Sequence, residues 1–445
     1  MKKSVSQKVA VSNLKVEAVQ EEFTGKNLTR FGGSGLIRRF FKRHRIAEEI
    51  EQGVRVEGRR ECKYSVSAML VSLLYGMFLG YPRPGQMEVL SKDEVFQKVT
   101  GLISFPVQST ISRFLSGLKV AVALQLACLN FDLLLKFRNG FRGFTRLTLD
   151  LDSHVLSVYG KQQRAGRGYN PKKKGRGSYH PLLCFIGETR DYLAGLLRSG
   201  KHHTSYRVIP FMKGVLKRLP THIRKIRLRA DSGFFDLDFL RFLVKRSIEF
   251  YVVVPLQPWL QKKIWAIKDW RDIGWGVEVS ELSYILTQKI TVRLVVIRKR
   301  VKKGASPKKQ LKLLSMAEVL YDYQVIATSS PSLPEEVWRF YNQRACCENF
   351  IKEGIYGFGL DKVLSHQYAG NYAYFELLML GYNLMNFFKE GVLNQDKVKR
   401  MMQTIRERLF LIPARLIRMA GRWVLKQERS WFYRVEYERA LARLT

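Results

Sequence analysis

The chain has 445 residues, and its 77 Lys and Arg outnumber its 38 Asp and Glu, so the formal net charge is +39. Hydrophobic residues make up 46% and charged residues 26%, an ordinary globular mixture that excludes wholesale disorder and fibrous repeats. Such a basic excess repels itself unless a polyanion neutralises it. The charge therefore favours nucleic acid as the partner, with an anionic membrane surface as the second choice.

The cysteines and the apolar stretches narrow the class further. The five cysteines form no CxxC pair, which argues against a disulfide framework and a zinc site and predicts free thiols in a reducing cytosol. The apolar stretches at 65–80 and 373–388 are short or interrupted by polar residues such as Glu376, which disfavours a membrane span. No apolar segment follows the basic N-terminus, so we expect a cytoplasmic protein.

The first third of the chain is predicted to be helical. Residues 1–60 are interpreted as a basic N-terminal arm with one or two short helices, and residues 61–140 as a helical DNA-binding region. Within 105–118 the apolar residues have helical spacing, which fits the second helix of a helix-turn-helix and fits an ordinary packing helix equally well. On the first interpretation, Arg113 contacts DNA.

Residues 141–255 show a different periodicity, typical of strands that alternate with helices. Strands are predicted at 145–158, 181–187, 191–200, 223–234 and 248–254, with helices at 204–218 and 235–246. This alternation predicts an α/β core, a mixed sheet flanked by helices.

Three further segments complete the predicted organisation. Residues 256–330 are interpreted as a β-rich insertion that contains Trp265, Trp270 and Trp275 and a basic hairpin at 297–312. Beyond it, residues 331–390 are predicted to return to the core as a helical segment. Residues 391–445 are predicted to form a basic helical C-terminal region.

A glycine-rich basic loop interrupts the core at 161–178. It holds seven Lys and Arg, four Gly and no acid, but lacks the Gly-Lys-Ser/Thr of a P-loop. We expect it to contact DNA phosphates, although an idle solvated loop has the same composition. The residues expected to make these contacts are Lys172, Lys173, Lys174 and Arg176.

Acidic residues mark two strands of the predicted core. Asp150 and Asp152 alternate with apolar residues, so both face the same side of one strand. Neighbouring carboxylates repel each other unless a cation or a proton lies between them. Asp231 ends another strand just before a glycine turn, the position where α/β sheets place their sites.

A third acidic residue, Glu348, lies within a predicted helix that begins near Pro334. Tyr341, Arg344, Glu348 and Lys352 have the spacing of one helical stripe. An acid between two bases and an aromatic ring suits the binding of a phosphate beside a metal ligand, so Tyr341, Arg344 and Lys352 are expected to contact DNA. A solvated charged face explains the same spacing, and the spacing alone leaves both interpretations open.

Several motifs, in a fixed order, resemble a known family. The segment YNQRACCEN at 341–349 resembles the Y-x2-R-x3-E signature of bacterial insertion-sequence DDE transposases. LDLDS at 149–153 and RADSGF at 229–234 resemble the two aspartate strands of this family. Sequences at 168–185 and 197–205 resemble stretches of one branch, the group-one transposase DDE domain.

The resemblance implies an RNase H-like core with an inserted β-rich region and a catalytic triad of Asp152, Asp231 and Glu348. In the family such carboxylates bind two Mg²⁺ ions, for which Mn²⁺ can substitute, and cleave and join DNA by in-line displacement at phosphorus. Asp150 remains a further metal ligand or the alternative to Asp152. Relatives with a β-rich insertion cut DNA through a hairpin intermediate, with a flipped base stacked on tryptophan.

The partners implied by the resemblance are double-stranded DNA with terminal inverted repeats and a target DNA. We expect a cut-and-paste transposase that acts as a homodimer in the synaptic complex and is associated with the bacterial nucleoid. Two alternatives remain: a non-catalytic DNA-binding repressor, and a metal-dependent nuclease on the same fold.

Overall fold

The computed structural model describes residues 20–58, 62–171, 173–287, 290–301, 321–394 and 400–445, without the side chains of residues 287 and 346. Lys172 and most of the basic hairpin expected at 297–312 lie outside the described residues.

The N-terminal region is helical, as its periodicity predicts. Its longest apolar run forms α3, which begins at the Ser65 cap, ends at Gly80 (φ 90°) and is buried along nearly its whole length. The elements in chain order are β1 (Leu28–Thr29), α1 (Ser34–Arg43), α2 (Ile46–Gly53), α3 (Val66–Leu79), α4 (Pro84–Ser91), α5 (Glu94–Thr100), α6 (Gln108–Ser116) and α7 (Val120–Phe137).

The described part of the expected N-terminal arm belongs to this helical body. Leu36 and Ile37 of α1 and Ile46 and Ile50 of α2 are completely buried, and α1 and α2 contact α5, α3 and α7. The basic side chains that suggested a free arm lie on the outer faces of two amphipathic helices. Burial of their apolar faces therefore fixes both helices to the core.

The core sheet begins after α7. A short 3₁₀ helix, Asn139–Phe141, precedes it, and a second, Ser232–Phe234, follows β8. The elements are β2 (Arg146–Ser153), β3 (Leu156–Ser157), β4 (Gly166–Arg167), β5 (Gly177–Tyr179), β6 (Leu182–Ile186), β7 (Tyr192–Leu196), α8 (Val208–Arg218), β8 (Lys225–Ala230), α9 (Leu237–Lys245) and β9 (Glu249–Val253).

These strands form a mixed sheet with β2 at its centre. The order is β7-β6-β2-β8-β9, with β2, β8 and β9 parallel and with β6 and β7 antiparallel to their neighbours. Six of the eight residues of β2 are buried, as expected of a central strand covered on both faces. The predicted α/β class with a mixed sheet flanked by helices is confirmed.

The β-rich insertion extends the same sheet. Its elements are α10 (Pro258–Trp265), β10 (Arg271–Asp272), β11 (Val277–Thr287), β12 (Ile290–Arg300) and β13 (Tyr321–Thr328). β13 pairs with the free edge of β9, and β12, β11 and β10 follow outward. An exposed sheet edge favours such pairing because its backbone groups would otherwise lack partners.

The glycine-rich basic loop contains a small sheet of its own. β5 pairs with β3 and β4 through Leu156↔Tyr179 and Gly166↔Ser178. The side chains of Lys173, Lys174 and Arg176 are exposed on the turn between β4 and β5.

The C-terminal part corrects the expectation of a wholly helical region. Its elements are α11 (Pro334–Asn342), α12 (Ala345–Phe358), α13 (Tyr368–Val392), α14 (Met402–Ile405) with the π-helical turn Arg406–Phe410, β14 (Ala414–Met419), β15 (Arg422–Gln427) and α15 (Arg434–Leu444). β14 and β15 form a hairpin that pairs with β1. Ala420 (φ 47°) and Gly421 (φ 76°) make the left-handed turn that joins the two strands.

Two long helices carry most of the interior. α13 is buried along nearly its whole length and packs against α7, α3 and α12. By length and composition, α7 is apolar enough to cross a membrane, but a buried core helix passes the same test. The contacts of α7 with α13, α2 and β7 are those of a core helix.

Candidate active site

Asp152 and Asp231 lie at the carboxyl ends of neighbouring parallel strands. In the β2–β8 register Asp150 pairs with Arg229, and two further residues along each strand bring Asp152 level with Asp231. Adjacent strands are roughly 4.8 Å apart, so the two aspartates are close neighbours. The site therefore sits at the edge of the sheet where α/β folds place their chemistry.

The turn after β8 fixes Asp231. Its Oδ1 accepts a hydrogen bond of 2.9 Å from the backbone N–H of Gly233, and the carboxylate caps the short 3₁₀ helix. A Cβ at Gly233 would lie 2.9 Å from the side chain of Thr204. Glycine is therefore required where this turn approaches the loop that follows β7.

Asp152 is buried, with 8% of its surface exposed, and lies beside a buried arginine. Its Oδ1 accepts a hydrogen bond of 2.7 Å from the backbone N–H of Ser153, and its Oδ2 is 3.2 Å from Nη2 of Arg344. Burial raises the pKa of Asp152 to about 6, with Arg344 opposing the rise and the carboxylates of Asp231 and Glu348 adding to it. Three carboxylates thus share one electrostatic environment.

Asp150 lies two residues earlier on β2 and forms an ion pair with a different arginine, Arg229. It is completely buried, and its two carboxylate oxygens accept hydrogen bonds of 2.6 and 2.8 Å from Nε and Nη2 of Arg229. Burial raises the pKa of Asp150, and Arg229 opposes that rise. Because Asp150 is completely buried and one guanidinium holds both of its oxygens at short distance, the geometry favours Asp152 over Asp150 as a metal ligand.

The expected single helical stripe is broken in the structure. α11 ends at Asn342 and α12 begins at Ala345, so Arg344 lies at the junction. Glu348 and Lys352 are exposed on α12, whereas Tyr341 and Arg344 are buried. The helix is interrupted at residues 343–344, and the members of the stripe have two different environments.

Tyr341 and Arg344 therefore face the carboxylates. Arg344 Nη2 donates a hydrogen bond of 3.1 Å to the carbonyl of Leu151. Burial raises the pKa of Tyr341 to about 12, with Arg344 lowering it and Asp231 and Asp152 raising it further. The structure thus brings Asp152, Asp231, Tyr341 and Arg344 together, and Glu348 lies exposed four residues after Arg344 on α12.

The other residues expected to bind DNA lie on exposed surfaces. Lys173 and Arg176 sit over the ring of Tyr159, at 4.4 and 4.6 Å from its centroid. Arg113 is exposed on α6, whose Ile111 and Leu115 are buried in the core. Within the described residues, no direct contact joins these cations to the three carboxylates.

Sequence reasoning missed His180 and Arg198 beside the site. Burial, together with the positive charge of Arg198, lowers the pKa of His180 to about 4. The negative charge of Asp231 acts in the opposite direction. Arg198 Nε donates a hydrogen bond of 2.9 Å to the carbonyl of His180. Both residues lie in stretches that resemble the family motifs, but only the fold brings His180 within electrostatic reach of Asp231 and Arg198 against His180.

The donor chemistry of the site suits a divalent cation. Carboxylate oxygens are ligands that Mg²⁺ prefers. The neighbouring carboxylates repel the charge of Asp152 and so raise its pKa, and a bound cation would offset this repulsion. In the described part of the chain, no three His, Cys, Asp or Glu side chains are gathered closely enough to hold a metal ion as they stand. Binding would therefore require the side chains of the site to move closer together.

Two strand-end aspartates and a helical glutamate on a mixed sheet define a DDE-type nucleic-acid enzyme. The chain matches the family model of the transposase DDE domain, group 1, over residues 11–445 and belongs to this family. The protein is therefore a DNA transposase by family. No curated protein sequence matches the chain significantly.

One similar solved structure is titled "Cryo-EM structure of piggyBac transposase synaptic complex with hairpin DNA". Its sequence is 12% identical, the alignment covers 84% of this chain and 80% of that chain, and the TM-score is 0.44.

Proposed function

We propose that this transposase cleaves the ends of its own element and joins them to target DNA, with Asp152, Asp231 and Glu348 as the catalytic triad. The observation that carries this proposal is the placement of Asp152 and Asp231 at the ends of neighbouring parallel strands, with Glu348 on α12, which begins directly after Arg344, the ion-pair partner of Asp152. Like charges gathered in a partly buried site are costly unless a cation joins them.

Asp152, Asp231 and Glu348 would hold two Mg²⁺ ions, or Mn²⁺ in their place. When bound, such ions activate water or a 3′-OH and stabilise the leaving oxygen at phosphorus. The protein residues position the site: the Gly233 N–H orients Asp231, and the Ser153 N–H orients Asp152. Arg344 balances the charge of Asp152 until cations bind.

The proposed partners are double-stranded DNA with terminal inverted repeats and a target DNA, with two protomers in the synaptic complex. The net charge of +39 supports a polyanionic partner. The exposed Lys173, Lys174, Arg176, Lys352 and Arg113 are proposed phosphate contacts, together with Lys172. Tyr341 and Arg344 are proposed to support the carboxylates rather than to bind DNA. We place the protein in the bacterial cytoplasm, on the nucleoid.

A cleavage and joining assay tests the proposal. Purified protein is mixed with a labelled DNA fragment that carries one end of the element and with a supercoiled target plasmid, in Mg²⁺, Mn²⁺ or EDTA. We expect a nick with a 3′-OH at the element boundary and a joined product, in Mg²⁺ and Mn²⁺ only. A fragment with a scrambled end is the control.

The same assay distinguishes the rival functions. A repressor binds the end fragment and leaves it intact in every metal. A nuclease cleaves it but gives no joined product with the plasmid. Either result would contradict the proposed transposition activity.

The proposal includes second-strand cleavage through a DNA hairpin, with a flipped base stacked on a tryptophan. Of the three tryptophans in the insertion, the most exposed one is the candidate for this contact. Trp270 lies under the guanidinium of Arg298 at 4.0 Å, and Trp265 packs against the core. Trp275 is 95% exposed at the tip between Gly274 and Gly276. β10 is six strands from β2 along the sheet, roughly 29 Å, so this tip would act on the DNA end of the second protomer.

Trp275→Ala is expected to keep the fold and to nick the first strand at the wild-type rate while forming less hairpin or double-strand product. Stacking of a base on an aromatic ring contributes about 1–3 kcal/mol, and this variant removes it. Denaturing gels of the cleavage intermediates measure the effect, with Trp270→Ala as the control for loss of packing. Normal hairpin yield from a folded Trp275→Ala protein would remove this tryptophan from the pathway.

A further inference from the structure

A basic cavity opens beside the proposed triad, between the loop after β7 and the start of α13. Its volume is about 350 Å³, within the range of ligand pockets. Four cationic side chains line it: Arg164, Arg198, Lys201 and Arg207. Among the described residues, no Asp or Glu lines this cavity. A cavity with walls of one charge favours an anionic occupant.

Arg198 is the buried centre of this cavity. Only 4% of its surface is exposed, and its guanidinium is held by the carbonyls of His180, Thr204 and Tyr206 at 2.7 to 2.9 Å. Its Nη2 is buried and has no hydrogen-bond partner within the described residues. Burial lowers the pKa of Arg198 to about 10, as expected of a cation whose charge is poorly compensated.

The position of Arg198 is rigid because the surrounding backbone is closely packed. The carbonyls that accept from its Nη1 belong to the same loop that packs against Gly233. A buried donor without a partner is costly, so a fixed guanidinium with a spare N–H fits a built anion site. Arg198 lines the cavity, so a phosphate oxygen there would supply the missing acceptor in a charge-assisted hydrogen bond once the groups that cover Nη2 give way.

Aromatic rings form the rest of the wall. The rings of His202 and Tyr206 are stacked with centroids 3.8 Å apart, and the Arg164 guanidinium lies 4.7 Å from the centroid of the Tyr368 ring. Tyr206 is also partly exposed. Cations beside flat aromatic surfaces are the combination that binds single-stranded nucleic acid, with the phosphate on the cations and the base on a ring.

The cavity is next to the proposed catalytic residues. Thr204, whose carbonyl holds Arg198, approaches Gly233 of the turn that fixes Asp231. His180, whose carbonyl also holds Arg198, is electrostatically coupled to Asp231. An occupant of the cavity would therefore lie beside the phosphate undergoing cleavage.

We propose that this cavity binds one unpaired nucleotide of the element end, adjacent to the scissile phosphate, with its phosphate on Arg198, Lys201 and Arg207 and its base against Tyr206. This assignment rests on the proposed function, because it takes end DNA as the substrate. The site holds the strand in place for attack and performs no chemistry.

Neutral-phosphate scanning tests the site in a binding assay. Single methylphosphonates, which lack the phosphate charge, are placed along the end DNA, and affinity is measured by fluorescence anisotropy in EDTA. For the wild type we expect one position near the cleavage site where the substitution weakens binding about tenfold. For Lys201→Gln/Arg207→Gln we expect weaker binding to native DNA and no further loss at that position.

A matched variant controls for the loss of two charges. Lys213 and Lys217 are exposed on α8, close in sequence to the cavity but not among its lining residues. Lys213→Gln/Lys217→Gln should retain the wild-type pattern of sensitivity to methylphosphonates. An abasic nucleotide at the sensitive position should weaken wild-type binding and should affect Tyr206→Ala less.

Three outcomes would overturn the proposal. One is a methylphosphonate effect of the same size in the cavity variant as in the wild type, and another is an even effect at all positions. The third combines two results: inorganic phosphate stabilises the wild type against heat but not the cavity variant, and no DNA position is sensitive to methylphosphonate. The occupant of the cavity would then be a free anion. The binding assay requires neither metal nor cleavage. Its result can therefore be interpreted even if the assignment of the catalytic triad is wrong.

Discussion

Asp231→Asn and Glu348→Gln should each lower Mg²⁺-dependent cleavage of end DNA by more than about 100-fold. Even residues that only support metal ligands change activity by about 10- to 100-fold, and loss of a ligand itself is more severe. Both substitutions preserve side-chain shape and remove one negative charge. The measurement is the initial rate of nicking on a denaturing gel.

End binding should survive these substitutions. Asp231 and Glu348 are proposed metal ligands and repel DNA phosphates, so neutral side chains should leave the affinity in EDTA unchanged or slightly tighter. Asp238→Asn is the matched control, because Asp238 is exposed on α9 and its ion-pair partner among the described residues is Arg241 on the same helix. Cleavage at the wild-type rate by either triad variant would exclude that residue from the site.

The sequence predicted the core because local pattern and long-range structure agree there. The strand at 145–158 alternates around Asp150 and Asp152, and the segment 223–234 ends in a glycine turn at Asp231. Those two signals place Asp231 at a strand end and Asp152 on a strand, and the structure ends that strand at Ser153. The register of β2 with β8 then brings the two ends together.

Pattern alone does not identify the partner of each side chain. Asp150 and Asp152 share one face of β2, and their distinction depends on Arg229, which lies opposite Asp150 on another strand. The break between α11 and α12 was also invisible in the sequence, because Gln343 and Arg344 are not helix-breaking residues and keep right-handed helical backbone angles. Both features are set by tertiary contacts.

The C-terminal hairpin was missed for a related reason. Basic residues on the exposed faces of β14 and β15 hide the period of two, and the pairing partner, β1, lies almost 400 residues earlier in the chain. The helices of the N-terminal segment were misjudged as an arm because their apolar faces are covered by distant helices such as α7 and α15. Contacts that are remote in sequence therefore account for most of the differences.

Asp150→Asn should destabilise the protein by about 3 kcal/mol or more, because removing one partner of a buried ion pair leaves the other charge uncompensated. Arg229 is buried with Asp150, and the two hydrogen bonds between them join β8 to the central strand. The measurement is the midpoint of denaturant unfolding, with an unchanged slope.

The neighbouring pair provides the control for this prediction. Arg227 Nη2 is 3.4 Å from Glu188 in a more exposed environment, so Glu188→Gln should cost less than about 1 kcal/mol. Adding Arg229→Gln to Asp150→Asn should cost much less than Arg229→Gln alone, as expected of coupled partners. An Asp150→Asn protein with wild-type stability and no cleavage activity would instead make Asp150 the metal ligand on β2 and would reverse the choice of Asp152.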